Sequence, residues 1–234
     1  MLGLKWEAVA AVFFDLDGTL VDSEGEAADA IELALRPLGR ELSVAERDFV
    51  VGHAFGDIYR YIRNNGGVPW GAREFEEAVF RARVVLQAKN GPGELPKARE
   101  MVRWVAARKP CALVTGSTRA EAELVLGALD IKGCFKETVC AGEYAHGKPD
   151  PEPYLRAATL LGVRPADCLV LEDSTAGIAA ARAAGMHCIA VRAGNRYGQD
   201  QSAASWIVDT LEALLELDGA TGEPGSALRP GELA

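Results

Sequence analysis

The sequence predicts an α/β protein: a doubly wound parallel sheet that carries an inserted all-helical domain. Three observations carry this expectation. The short apolar run Ala11-Val-Phe-Phe14 reads as a strand buried on both faces, and it stops abruptly at Asp15, Asp17 and Gly18. From Gly25 to Asn90 the apolar residues recur at helical spacing, and no strand is expected there. Beyond the breaker-rich stretch Asn90-Gly-Pro-Gly-Glu-Leu-Pro96, helical patterns alternate with short apolar runs, the signature of parallel βα units.

Each element has its own justification. After the first strand, Ala27, Ala30, Ile31, Ala34, Leu35 and Leu38 line one face of a helix that ends at Pro37 to Gly39. Ser43 is a plausible N-cap for a helix from Val44 to Val51. Phe75, Val79, Ala82 and Leu86 define a long helix from Ala72 to about Lys89. Past the breakers, helices at 97–108, 119–129, 152–161 and 176–184 each precede a strand, at 111–114, 138–140, 168–171 and 188–191 in turn. The first strand belongs to the same sheet, so the helical block is an insertion. The expected division is an α/β core of residues 1–22 and 92–218, a helical insertion of 23–91, and a tail of 219–234. That tail is rich in Gly, Pro, Ala and Glu, and it is expected to be flexible.

Composition bounds the function. With 34 acidic against 25 basic residues the formal charge is -9, and no basic stripe interrupts the average, which argues against a nucleic-acid partner. The five cysteines form no disulfide framework: Cys111, Cys168 and Cys188 open apolar runs, and Cys134 and Cys140 lack zinc-site spacing. No apolar run approaches the length of a membrane span and the first eleven residues contain no signal-like core, so a cytoplasmic protein is expected, with no membrane partner.

Ligands of an open parallel sheet bind beyond the carboxyl ends of its strands. There stand Asp15 and Asp17, then Thr115-Gly116-Ser117, then Lys148, then Glu172-Asp173-Ser174. Taken singly each has a bland explanation: a turn at Asp17-Gly18, a helix cap at Thr115 to Ser117, a solvated lysine, an acidic pair at a helix start. Together, carboxylates, hydroxyls and an ammonium converge on one edge. Two carboxylates at the mouth of a buried strand raise each other's pKa unless a cation compensates them, and oxygen donors select a hard ion such as Mg2+ or Ca2+. The run Gly142-Glu-Tyr-Ala-His-Gly-Lys148 imitates a P-loop, but Pro149 stands where a Ser or Thr must ligate the metal and a helix must begin.

Four stretches, Asp15-Leu-Asp-Gly-Thr-Leu-Val-Asp-Ser23, Val114-Thr-Gly-Ser117, Gly147-Lys-Pro-Asp-Pro151 and Leu171-Glu-Asp-Ser-Thr-Ala-Gly177, resemble the four ordered motifs of the haloacid dehalogenase superfamily. The helical block between the first two resembles that family's helical cap, as in beta-phosphoglucomutase and phosphoglycolate phosphatase. The resemblance implies a Rossmann-like core and a Mg2+-dependent phosphatase. In it Asp15 attacks phosphorus to form an aspartyl-phosphate, and Asp17 acts as acid and then base. It further implies that Asp15, Asp173, the Asp17 main-chain carbonyl and Glu172, directly or through water, hold Mg2+. Thr115 and the amides of Gly116 and Ser117 then hold the phosphoryl oxygens, and Lys148 neutralises them.

Within the superfamily, Asp17 argues against dehalogenases and phosphonatases. Beta-phosphoglucomutases usually carry a residue other than Thr at the position of Thr19 and a His at the position of Ala27, so the resemblance leans to a phosphatase over a hexose-phosphate mutase. The expected substrate is a small phosphorylated metabolite, a sugar or polyol phosphate, and the expected state is a monomer. Specificity should lie in the cap, where the loop Gly52 to Gly56 with His53, together with Arg60, Arg63 and Asn64, supplies candidates. His146 and Asn195 are weaker ones, and Trp70, Trp104 and Trp206 read as packing residues.

Overall fold

The computed structural model describes residues 6–50, 53, 55–195 and 198–215 and the backbone of 229–230. In chain order, β1 (Ala11–Phe14) leads to α1 (Ser23–Leu35), α2 (Val44–Val50), α3 (Phe55–Asn64) and α4 (Ala72–Asn90). There follow α5 (Ala98–Ala106), β2 (Cys111–Val114), α6 (Arg119–Ala128), β3 (Glu137–Val139), α7 (Glu152–Leu161), β4 (Cys168–Glu172), α8 (Thr175–Ala183), β5 (His187–Val191), β6 (Trp206–Val208) and β7 (Arg229–Pro230). The chain forms two compact units, one of residues up to Val21 and from Glu94 onward, the other Asp22–Gly93.

The first unit is an α/β sheet in the order β3-β2-β1-β4-β5-β6-β7, parallel throughout except for the β6–β7 pair. β1 is central because it is apolar on both sides. Phe14 and Val12 enter one core layer with Met101, Val102 and Leu126, while Phe13 and Ala11 enter the other with Tyr154, Ile178 and Ala181. Alternate residues of a strand point to opposite faces, so an uninterrupted apolar run is what a two-sided burial demands. Burying each phenylalanine stabilises the sheet by about 1.5–3 kcal/mol. The backbone N–H of Asp15 donates to Leu171 O at 3.0 Å, and that of Thr115 to Val139 O at 3.0 Å. These bonds extend the ladders by one residue and hold both side chains at the carboxyl mouth.

The second unit is helical, around Ile31, Leu35, Ile62 and Phe75, all buried. Ser43 caps α2 reciprocally: Glu46 N donates to Ser43 Oγ at 3.3 Å and Ser43 N donates to Glu46 Oε2 at 2.9 Å. Buried Glu46 is neutralised by an ion pair with Arg40.

The structure corrects four sequence expectations. Phe55 and Gly56, expected in a loop, open α3, whose buried Ile58, Tyr59 and Ile62 follow helical spacing that the loop assignment overlooked. Glu172, expected just past its strand, is the last residue of β4. The weak strand starts one residue earlier, at Glu137. Trp206, read only as packing, is also the first residue of β6, a strand too short at three residues to stand out. Val51, Gly52 and Ala54 lie outside the described residues, as does most of the expected tail. Its described part, Arg229–Pro230, pairs antiparallel with β6. Among the described residues no helix is long and apolar enough to cross a membrane.

Candidate active site

The mouth of the parallel sheet gathers side chains from four strand ends. Lys148 reaches in from the loop before α7, and its ammonium donates to Asp15 Oδ1 at 2.6 Å, Glu172 Oε1 at 2.7 Å and Val114 O at 3.0 Å. An ammonium has three donors, and each finds an acceptor here. Lys148 therefore acts as a fixed charge that orients Asp15. Tyr154 on α7, fully buried, donates its hydroxyl to Glu172 Oε1 at 3.0 Å and presents its ring 5.1 Å from Lys148 Nζ. The other oxygen of Glu172 accepts from Asp173 N and Ser174 N at 3.0 Å and from Ser174 Oγ at 2.9 Å. Glu172 is thus a hub that ties β4, α7 and the start of α8 to one lysine.

Asp15, Glu172 and Asp173 each offer a carboxylate oxygen within 4.8 Å of the others. Burial pushes Asp15 well above the usual carboxylate range; Lys148 opposes this, while Glu172, Asp173 and Asp17 add to it. Burial also pushes Asp173 up, to about 7, with Glu172 adding to the effect and Lys148 opposing it. For Glu172, burial is outweighed by the Lys148 charge and the hydrogen bonds it accepts, so it stays below the usual range. Burial lowers Lys148 as well, but Asp15 and Glu172 more than reverse this and keep it an ammonium. One ammonium thus stands among three carboxyl groups, a set that could hold a divalent cation. The donor set, all hard oxygens, fits Mg2+. Gly18, at φ +82°, makes room for the Asp173 carboxylate: a Cβ there would lie 2.2 Å from Asp173 Oδ2.

Asp17 faces a different set of partners. Its Oδ2 accepts from Ser117 Oγ at 2.5 Å and from Thr115 Oγ1 at 3.3 Å, and its carboxylate lies outside the three-carboxylate group. Thr115 Oγ1 also accepts from Ser117 N at 2.9 Å, a tight turn that leads into the Thr118 cap of α6. The hydroxyls of Thr115 and Ser117 are both directed at Asp17. Gly116 between them is exposed.

Of the remaining candidates, His53 is exposed in the helical unit and stacks on Phe49 with ring centres 3.9 Å apart. Arg60 pairs with Asp57, and Arg63 donates to Tyr59 Oη at 2.7 Å. Asn64 is exposed on the last turn of α3, and Ala27 is half-buried in α1. His146 is exposed beside Glu152, 3.1 Å away. Asn195 exchanges hydrogen bonds with the backbone of Gln199 and shapes its own loop. No helix begins at Pro149, where a P-loop would require one.

Four site residues escaped the sequence reading in these roles. Thr19 donates to Asp173 Oδ1 at 3.3 Å. Ser174 and Tyr154 hold Glu172, and Gln201 holds the Asp173 backbone. Tyr154 sits on the apolar face of α7, where an aromatic residue reads as core, and only its buried hydroxyl marks it as needing a partner.

A family model described as haloacid dehalogenase-like hydrolase matches residues 9–185. Protein CbbY of Rhodobacter capsulatus is 33% identical over 213 residues, covering 87% of this chain and 94% of that protein. The fructose-1-phosphate phosphatase YqaB of Escherichia coli strain K12 is 35% identical over 208 residues, covering 80% of this chain and 98% of that protein. Among solved structures, CbbY of Rhodobacter sphaeroides in complex with phosphate superposes with a TM-score of 0.76 at 22% identity, over 87% of this chain and 95% of that one. This last likeness is one of fold.

Proposed function

The chain belongs to the haloacid dehalogenase-like hydrolase family and is a phosphoric monoester hydrolase, and from that premise we propose that it releases phosphate from small sugar or polyol phosphates through an aspartyl-phosphate. The observation that carries this reading is the division of labour at the strand mouth. Asp15 is buried and oriented by Lys148, whereas Asp17, two residues on, is half-buried and held by hydroxyl groups.

In the first step an Asp15 carboxylate oxygen attacks phosphorus, the bond from phosphorus to the ester oxygen breaks, and Asp17 passes its proton to that leaving oxygen. In the second, Asp17 takes a proton from water as the water oxygen attacks the aspartyl-phosphate, which returns Asp15 as a carboxylate and frees inorganic phosphate. Asp15, Asp173 and Glu172 would hold Mg2+ with the main-chain carbonyl of Asp17. Bound there, the ion supplies positive charge to the phosphoryl oxygens. Lys148 adds the fixed charge that lets an acidic protein accept an anion, and in the Thr115 to Ser117 turn, where Thr115 N and Ser117 N already donate within the protein, the Gly116 amide is the proposed phosphoryl donor.

The helical unit is the proposed source of substrate choice, with His53, Arg60 and Arg63 as candidates. The preference for sugar or polyol phosphates draws support from the fructose-1-phosphate phosphatase relative. Five cysteines without a disulfide suit a cytoplasmic location, and a monomer is the proposed state.

The test is a phosphate-release screen with MgCl2 over sugar, polyol, nucleotide and two- or three-carbon phosphates. Release that disappears in Asp15→Asn is the expected result. Full activity of that variant would overturn the nucleophile assignment, and ester phosphate conserved in a rearranged product would identify a mutase instead.

A further inference from the structure

Gln201 lies outside all four strand-end motifs, yet its side chain is buried, 6% exposed, at the mouth of the sheet. Its amide nitrogen donates to Asp173 O at 2.6 Å and to Val191 O at 3.0 Å. The ladder between β4 and β5 runs from Leu169 opposite His187 to Glu172 opposite Ala190. Asp173 and Val191 are the next residue on each chain, where the ladder stops and its carbonyls lose their regular partners. A primary amide has two N–H groups, and both are aimed at this pair. Gln201 is a side-chain rung added past the last backbone rung.

The loop that delivers Gln201 is itself tied to the site. Asn195 Nδ2 donates to Gln199 O at 2.8 Å and Gln199 N donates to Asn195 Oδ1 at 2.7 Å, which closes the loop on itself. Gln199 Oε1 accepts from Thr175 N at 3.1 Å, and Asp200 O accepts from Thr175 Oγ1 at 2.8 Å. Gly194, in the same loop, packs on the turn after β1: a Cβ there would lie 1.7 Å from Gly18 O. The loop therefore rests on Gly18 and Asp173 at once, and the Asp173 carboxylate fills the space that a side chain at Gly18 would need.

We infer that Gln201 is a positioning residue for the cation site: by pinning the Asp173 carbonyl to the end of β5 it fixes the backbone from which that carboxylate meets Asp15 and Glu172. This rests on the Mg2+ site proposed above. Groups that orient a ligand change metal affinity by about 10–100-fold when removed. Losing Gln201 accordingly weakens Mg2+ binding, while chemistry at saturating Mg2+ persists.

The experiment is a thermal-shift titration of the full chain with MgCl2 alone, comparing wild type with Gln201→Met, which keeps the side-chain length and removes both donors. A second variant, Gln201→Asn, keeps the amide but withdraws it by one methylene; it is read by the same criterion if the first does not fold. The expected result is a half-saturating Mg2+ concentration raised about tenfold or more, with phosphate release recovered at high MgCl2. A folded variant with a lower melting temperature but wild-type Mg2+ response makes Gln201 a mere fastening and overturns the inference alone. A wild type indifferent to MgCl2 overturns the cation site and this inference with it.

Discussion

Ser117 Oγ donates to Asp17 Oδ2 at 2.5 Å, across 100 residues of sequence, and Thr115 Oγ1 donates to the same oxygen at 3.3 Å. The second carboxylate of the site is thus held in place by the turn after β2. A hydrogen bond to a charged group contributes about 1.5–3 kcal/mol, so Ser117→Ala is expected to slow turnover by about 10–100-fold. The loss should be larger for an alkyl phosphate, whose leaving oxygen needs a proton, than for p-nitrophenyl phosphate. Steady-state rates on the two substrates check this, and equal losses would detach Ser117 from proton transfer.

Lys148 pairs with both Asp15 and Glu172. Breaking a buried ion pair by removing one partner costs about 3–5 kcal/mol. Lys148→Met is therefore expected to lower unfolding free energy in urea by that amount without metal and to abolish activity. MgCl2 should restore part of the stability. An unchanged urea midpoint would show that solvent already screens these carboxylates.

The carboxylates link Mg2+ binding to pH. Asp173 is raised from 3.8 to about 7 without a cation, so between these values the folded chain keeps a proton that the unfolded chain has lost. This proton-linked stability is fully present below 3.8 and lost as the pH rises to about 7. Mg2+ competes with the same proton. Its stabilising effect in thermal-shift assays should therefore be greater at pH 8 than at pH 6, and a response independent of pH would contradict the coupling.

The four buried cysteines should be inert while the chain is folded. Cys111, Cys140, Cys168 and Cys188 are buried and Cys134 is half-buried. Burial pushes the Cys111 thiol up to about 12 and those of Cys140 and Cys168 to about 11. Thiolate, the reactive form, is then scarce at pH 8. Labelling with a chromogenic disulfide should modify at most Cys134 quickly, and the other four only after unfolding in urea. Rapid labelling of more than one thiol in the folded protein would contradict this packing.

Local sequence determined the architecture. A strand buried on both faces must be apolar throughout, so Ala11 to Phe14 specifies β1, and the residue types at the strand ends place Asp15, Asp17, Lys148, Glu172 and Asp173 at one edge. The local signal was too thin at β6, three residues long, whereas at α3 the helical spacing of Ile58, Tyr59 and Ile62 was present behind a glycine at position 56 that reads as a loop. The partners of each polar side chain were decided only by the tertiary structure. Thr19 meets Asp173, Ser117 meets Asp17, Tyr154 meets Glu172 and Gln201 meets the Asp173 carbonyl across separations of 154, 100, 18 and 28 residues. Hydrogen bonds are short and directional, so such pairs exist only once the strand ends have closed on one another, and no periodicity along the chain encodes them.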